Sequence, residues 1–91
     1  MIKVFVVYEQ EPEPERYEEH AELCRRVGSG TFRHGKVLGS PTGQRYAYSA
    51  EWDFPDMETF KAASRTEEFA ATGRDAAEMG IPFHVHFAEV Q

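Results

Sequence analysis

The sequence predicts an α+β protein with one four-stranded antiparallel sheet and its helices on a single face. Three observations lead there. The segments read in the order strand, helix, strand pair, helix, strand. The strand pair is joined by Ser40-Pro41-Thr42-Gly43, a strong turn signal. The last stretch, Ile81 to Val90, alternates between apolar and polar side chains, as a half-buried strand does. This order is the split βαβ pattern, βαββαβ, of ferredoxin-like proteins. The 91 residues suit one such domain, residues 1–91. A chain of this size buries roughly two-thirds of its unfolded surface, enough for an independent but modest fold.

Each element has its own warrant. Ile2–Tyr8 is apolar and rich in β-branched residues, and reads as a central strand. Pro12 and Pro14 keep the polar connector Glu9–Glu15 extended or place it at a helix's first turn. A helix is expected from Pro14 to Val27, with Gly28 at the C′ stop. Thr31–Gly39 and Gln44–Phe54 are the hairpin strands. Asp56 can cap a short helix, Met57–Ala63. Ser64-Arg65-Thr66-Glu67 has capping-box spacing and starts a longer piece, Arg65–Met79. Gly80 and Pro82 end it and launch the final strand.

The period of two assigns faces. Phe83, Val85 and Phe87 should lie under the helices, and His84, His86 and Ala88 on the other face. Phe54 should pack with Phe60, which puts Ala47, Ser49 and Glu51 on the bare face and Tyr46, Tyr48 and Trp52 toward the helices. A bare sheet face with apolar and aromatic content marks an interface or a ligand groove. Two such sheets packed face to face would form a barrel-like cavity.

Composition narrows the function. The net charge is −6, and seven glutamates fall between Glu9 and Glu22 with no basic stripe, so nucleic acid is a poor partner. The single cysteine, Cys24, cannot form an internal disulfide and sits on an apolar helix arc, as an inert core thiol does. No apolar run approaches the roughly 20 residues of a membrane span. Met1-Ile-Lys-Val leads straight into a strand, without a signal-peptide pattern. A soluble cytoplasmic protein is expected. The chain holds no GxGxxG, P-loop, CxxC or nucleophile elbow.

His20 is the main candidate for chemistry. It falls inside the apolar arc of Tyr17, Ala21, Leu23, Cys24 and Val27. A titratable group there is either a satisfied core histidine or a general acid/base, since both imidazole states are accessible near neutral pH. His84 and His86 stand roughly 6.5–7 Å apart on one strand face, close enough to touch one ligand or to line a dimer interface. Glu51 on the same face can orient them or pair with Arg33. With both histidines, Glu51 could imitate a two-histidine-one-carboxylate site, but no strong metal-ligand spacing is present. Neither a metal nor a cofactor is expected. Tyr8 ends the first strand, where its phenol can hydrogen-bond an aromatic substrate or pack as a rim residue. His34 should be solvent-exposed on a sheet edge.

The stretches Tyr17-Glu-Glu-His20-Ala-Glu-Leu, Ala50-Glu51-Trp52-Asp53-Phe54 and Met57-Glu-Thr-Phe60, with Thr66-Glu-Glu-Phe69 and Asp75, resemble EthD-like proteins of the dimeric α+β barrel superfamily. The resemblance spans Ile2 to Glu89, through short and degenerate motifs. Ala21-Glu22-Leu23 follows His20 where family members often carry a proline. The resemblance implies a ferredoxin-like protomer, a homodimer and a small-molecule cavity. Relatives in the superfamily include cofactor-free monooxygenases, cyclases, isomerases, dehydratases and proteins with no assigned reaction. Asp75 matches a family position, yet on the helical wheel it turns away from the Phe69/Gly73/Ala77 stripe. It reads as a solvated or helix-linking residue. Gly73 in that stripe reads as permitting close helix–sheet approach.

Three functions stay open. One is a cofactor-free enzyme of isomerase, cyclase or dehydratase type on a small hydrophobic carbonyl- or phenol-bearing molecule. There His20 would move the proton, and Tyr8, Glu51, His84 and His86 would bind the substrate. The second is a non-catalytic dimer that binds a small molecule or assists an oxidative degradation pathway. The third is cofactor-independent oxygenation.

Overall fold

A computed structural model describes residues 1–28 and 30–91. Along the chain run β1 (Ile2–Tyr8), α1 (Pro14–Arg25), β2 (Thr31–Lys36), β3 (Tyr48–Phe54), α2 (Met57–Ser64), α3 (Glu67–Glu78) and β4 (Phe83–Glu89). The strands form one antiparallel sheet in the order β2-β3-β1-β4. This is the expected ferredoxin-like sheet. β1 sits at its centre because its apolar, β-branched side chains can be flanked on both sides.

Local chemistry sets the helix ends. Pro14 opens α1, where its missing N–H costs nothing, and the Glu13 carboxylate accepts from the Glu15 N–H. Asp56 caps α2 by accepting from the Thr59 N–H at 2.7 Å. The cap of α3 is Thr66, which accepts from the Phe69 N–H, rather than the expected Ser64. Ser64 instead donates to the Lys61 carbonyl and closes α2. Helix α1 stops at the Arg26 cap, before Gly28, and the left-handed backbone falls to Gly43 in the hairpin turn and Gly80 after α3. The hairpin strands are shorter than expected. The ladder ends at Lys36–Tyr48, with one further bond from the Val37 N–H to the Ala47 carbonyl. Beyond it the loop is exposed, Leu38 most of all at 91%, so water can satisfy the backbone.

Alternation in β1 is clean. Ile2, Val4, Val6 and Tyr8 are buried under the helices, and Lys3, Phe5 and Val7 face the other way. Trp52 and Phe54 share the buried side, and the Phe54 and Phe60 rings meet at 5.5 Å, as expected. The Trp52 indole N–H donates to the Cys24 carbonyl, joining β3 to the end of α1. Tyr48 is half-buried on this side too. Tyr46 departs from its expected place. It lies before β3 and packs its ring 5.5 Å from His84.

Two further expectations change. His34 is half-buried, not solvent-exposed. Its register partner is Ala50, which puts it on the helix side of the edge strand, where its ring lies 5.0 Å from Tyr17 and its Nδ1 2.6 Å from the Tyr48 hydroxyl. Phe83, Val85 and Phe87 do face the helix side, but Val85 and Phe87 are 45% and 62% exposed. The helices cover β4 only in part: the Phe60 ring of α2 lies 5.1 Å from that of Phe87, and Phe83 is half-buried. The side chains that α3 turns toward β4, Thr72, Gly73 and Ala76, are too short to reach the strand, and the gap they leave is a cavity.

Candidate active site between the third helix and the sheet

The cavity has a volume of about 110 Å³. Its buried walls are Val4, Tyr8, His20 and Trp52, with Thr72 and Ala76 from α3. Its open side carries Gly73, Val85 and Phe87, all exposed. The volume approaches the roughly 150 Å³ of an apolar protein cavity that holds benzene. No Lys or Arg lines it.

His20 is 4% exposed at the back of this space. Its Nδ1 lies 2.8 Å from Asp75 Oδ2, and both Asp75 oxygens also receive the Arg16 guanidinium, at 2.7 and 3.1 Å. The Arg16 fork holds the Asp75 carboxyl below its ordinary range, with the His20 bond adding to the effect. A carboxylate only accepts, so the proton of the neutral imidazole is on Nδ1 and Nε2 keeps its lone pair. Burial holds the imidazole below its ordinary pKa, although the Asp75 bond pulls upward. At neutral pH, His20 is therefore a neutral, oriented base. The Cys24 sulfur lies 3.4 Å from Nε2. Burial pushes that thiol up to about 12, so it stays protonated and donates.

Tyr8 lies at the same end of the cavity. It is 1% exposed, and its hydroxyl is 3.2 Å from that of Tyr17. Burial pushes the Tyr8 phenol up to about 12 and raises Tyr17 as well. Both remain neutral and supply hydrogen bonds, not charge.

The five residues expected to form one site divide across the sheet. His20 and Tyr8 both line the cavity on the helix side, each against Tyr17. Glu51 and His86 are both register partners of Phe5, and His84 of Val7, so these three lie on the opposite face. Glu51 reaches neither histidine. It pairs with Lys3 at 2.9 Å and Arg33 at 2.7 Å, and Asp53 joins both cations, at 3.2 and 2.6 Å. His84 Nε2 is 2.9 Å from Glu9, and the His86 ring lies 5.1 Å from Phe5. Among the described residues, no group of three or more His, Cys, Asp or Glu side chains is placed to hold a metal.

Two residues gain roles that the sequence reading did not give them. Asp75 does link the helices, but its side chain is only 16% exposed, and it also sets the His20 tautomer. Arg16 was not singled out. Its signal was the spacing: Arg16 and His20 are four apart, on one face of α1, so one acid on a neighbouring helix can meet both. Gly73 does not permit a close approach, since a Cβ there would meet nothing within 4 Å.

The fold matches several solved structures. An ethyl tert-butyl ether degradation (EthD) family protein from Bacillus halodurans is 26% identical, with a TM-score of 0.80 over 100% of this chain and 99% of its own. A dimeric ferredoxin-like protein of unknown function from Jannaschia sp. is 20% identical, at 0.75 over 98% of each chain. A DABB family protein with a ferredoxin-like fold from Mesorhizobium loti is 14% identical, at 0.69 over 99% of this chain and 96% of its own. No family model and no curated protein matches the chain. The chain thus has an EthD-like, ferredoxin-like α+β fold. Among the described residues, no helix is long and apolar enough to cross a membrane.

Proposed function

We propose that this protein binds a small, neutral, largely apolar molecule with one carbonyl or phenol group beside His20, and that His20 moves a proton on it. The observation that carries this reading is the Asp75–His20 pair at the back of the apolar cavity. Asp75 fixes the tautomer, apolar walls surround the imidazole, and Nε2 is the nitrogen left to accept a proton. The Tyr8 hydroxyl is the nearby neutral donor for an oxygen that gains charge. Isomerisation, cyclisation and dehydration all need such an acid and base. A carbonyl acidifies the substrate's own α-hydrogens, so this chemistry needs an acid and a base but no cofactor.

The protein acts as a homodimer in this proposal, paired through the bare sheet face. Phe5, Val7 and Ala88 supply the apolar part, and His84, His86 and the Lys3–Glu51–Asp53–Arg33 cluster supply the polar part. Solved structures with this fold include proteins described as dimeric. Glu51, His84 and His86 then act at the protomer interface, where a ligand between the two sheets would meet them.

A second reading has one observation in its favour. The Cys24 thiol already occupies Nε2 at 3.4 Å, which suits a structural imidazole beside a non-catalytic binding cavity. Deuterium exchange separates the two. Cyclopentanone incubated in D2O should exchange its α-hydrogens faster with the native protein than with His20→Gln. Equal rates, with binding retained, would leave the non-catalytic reading standing and remove the catalytic one.

A further inference from the structure

We infer that Gly73 holds open the mouth of the His20 cavity and so limits its occupants to about one ring. The inference rests on the ligand-binding reading above and adds the residue that controls access. Glycine inside a helix costs about 1 kcal/mol relative to alanine, so its presence there needs a reason. Three ordinary reasons fail at this position. Gly73 lies in the body of α3 (Glu67–Glu78), away from either cap. Its φ is not positive, since among the described residues only Gly43 and Gly80 have left-handed backbone. Nothing packs against it, because a Cβ would meet no atom within 4 Å. Gly30 shows the contrast: a Cβ there would fall 2.9 Å from the Phe54 ring, so close packing explains that glycine.

What remains is the space beside it. Gly73 lines the cavity on its exposed side, opposite Val85 and Phe87 of the partly covered strand β4. A side chain at 73 would stand between helix and strand, over the route to His20 and Trp52. The deeper lining residues on the sheet, Val4 and Tyr8, are fixed by the core and cannot yield. Access is therefore adjustable at position 73 with little cost elsewhere. The cavity's volume and lack of cations fit a neutral single-ring molecule rather than an anion or a fused-ring system.

Trp52 is the sole tryptophan and lies at the back of the cavity, so its fluorescence reports what enters. The test uses the native protein, Gly73→Ala and Gly73→Leu. Calorimetric titration with phenol measures binding, and acrylamide quenching of Trp52 measures access. Phenol affinity should fall severalfold in Gly73→Ala and by about tenfold or more in Gly73→Leu, a loss of about 1.4 kcal/mol or greater. Quenching should weaken in the same order. Circular dichroism checks folding, and Gly73→Ala, with its better helix former, keeps the test usable if the leucine variant does not fold. Unchanged phenol binding and unchanged quenching in folded Gly73→Leu would overturn the inference and leave the cavity reading intact. Weakened quenching with no phenol binding even by the native protein would support the role of Gly73 at the mouth and overturn the ligand reading.

Discussion

Replacing Asp75 with asparagine tests the centre of the site. The carboxylate takes two bonds from Arg16 and one from His20. A hydrogen bond to a charged group contributes about 1.5–3 kcal/mol when buried. The His20 contact deserves nearly that range, since the imidazole is 5% exposed. The Arg16 side chain is 31% exposed, so solvent screening cuts its share to about 0.5–1 kcal/mol. The amide oxygen of asparagine keeps part of each bond. The expected loss is about 2–3 kcal/mol, or roughly 10–20 °C in melting temperature for a domain this small. Urea titration followed by circular dichroism measures it, with the slope checked for two-state behaviour. Double-mutant cycles then apportion the loss. The coupling of Asp75 to His20, measured in a His20→Phe background, should exceed its coupling to Arg16, measured in Arg16→Ala. A total loss below about 0.5 kcal/mol, or a larger coupling to Arg16, would refute the reasoning that burial decides which contact matters.

Acid should weaken the fold through its histidines. Burial lowers the folded pKa of His20 and, with Arg25, that of His34, so the unfolded chain takes up protons first. Stability should be full above the unfolded value of about 6.5 and decline as pH falls through it toward the folded values. Urea midpoints between pH 8 and 5 check this; His20→Phe should flatten the slope in part, and a flat native profile would contradict it. Tyr17→Phe should cost about 1–2 kcal/mol, because it leaves the buried Tyr8 hydroxyl without a partner; thermal melts will show whether it does. Gly30→Ala should destabilise by about 1–3 kcal/mol through overlap with Phe54, while Gly73→Ala should stabilise by up to about 1 kcal/mol. The two melting shifts must have opposite signs. Light scattering should find the native protein dimeric at micromolar concentration and Phe5→Asp monomeric, since a carboxylate would then be buried in the sheet interface. A native monomer would end the homodimer proposal.

Much of this architecture was legible in the sequence because it is set by local rules. Strand and helix periods, the Asp56 cap and the prolines at the start of α1 act over a few residues, and period two sorted Trp52 and Phe54 to their face. The same parity placed His84 and His86 on the bare face, and His20 was marked by its polarity within an apolar arc. What local rules could not supply was which elements lie against which. The Asp75–His20 bond spans 55 positions in the chain, and the wheel of α3 alone turns Asp75 outward until α1 is packed beside it. His34 reads as an edge residue until Tyr17 covers it. Helix α3 falls short of β4 and leaves Val85 and much of Phe87 exposed, and no pattern in either segment states the distance between them. The sequence by itself determined the sheet, most of its face assignments and one histidine on an apolar helix arc. Only tertiary packing decided that this imidazole has a carboxylate on Nδ1 and borders an open cavity, because both depend on how closely α3 lies to α1 and to the sheet.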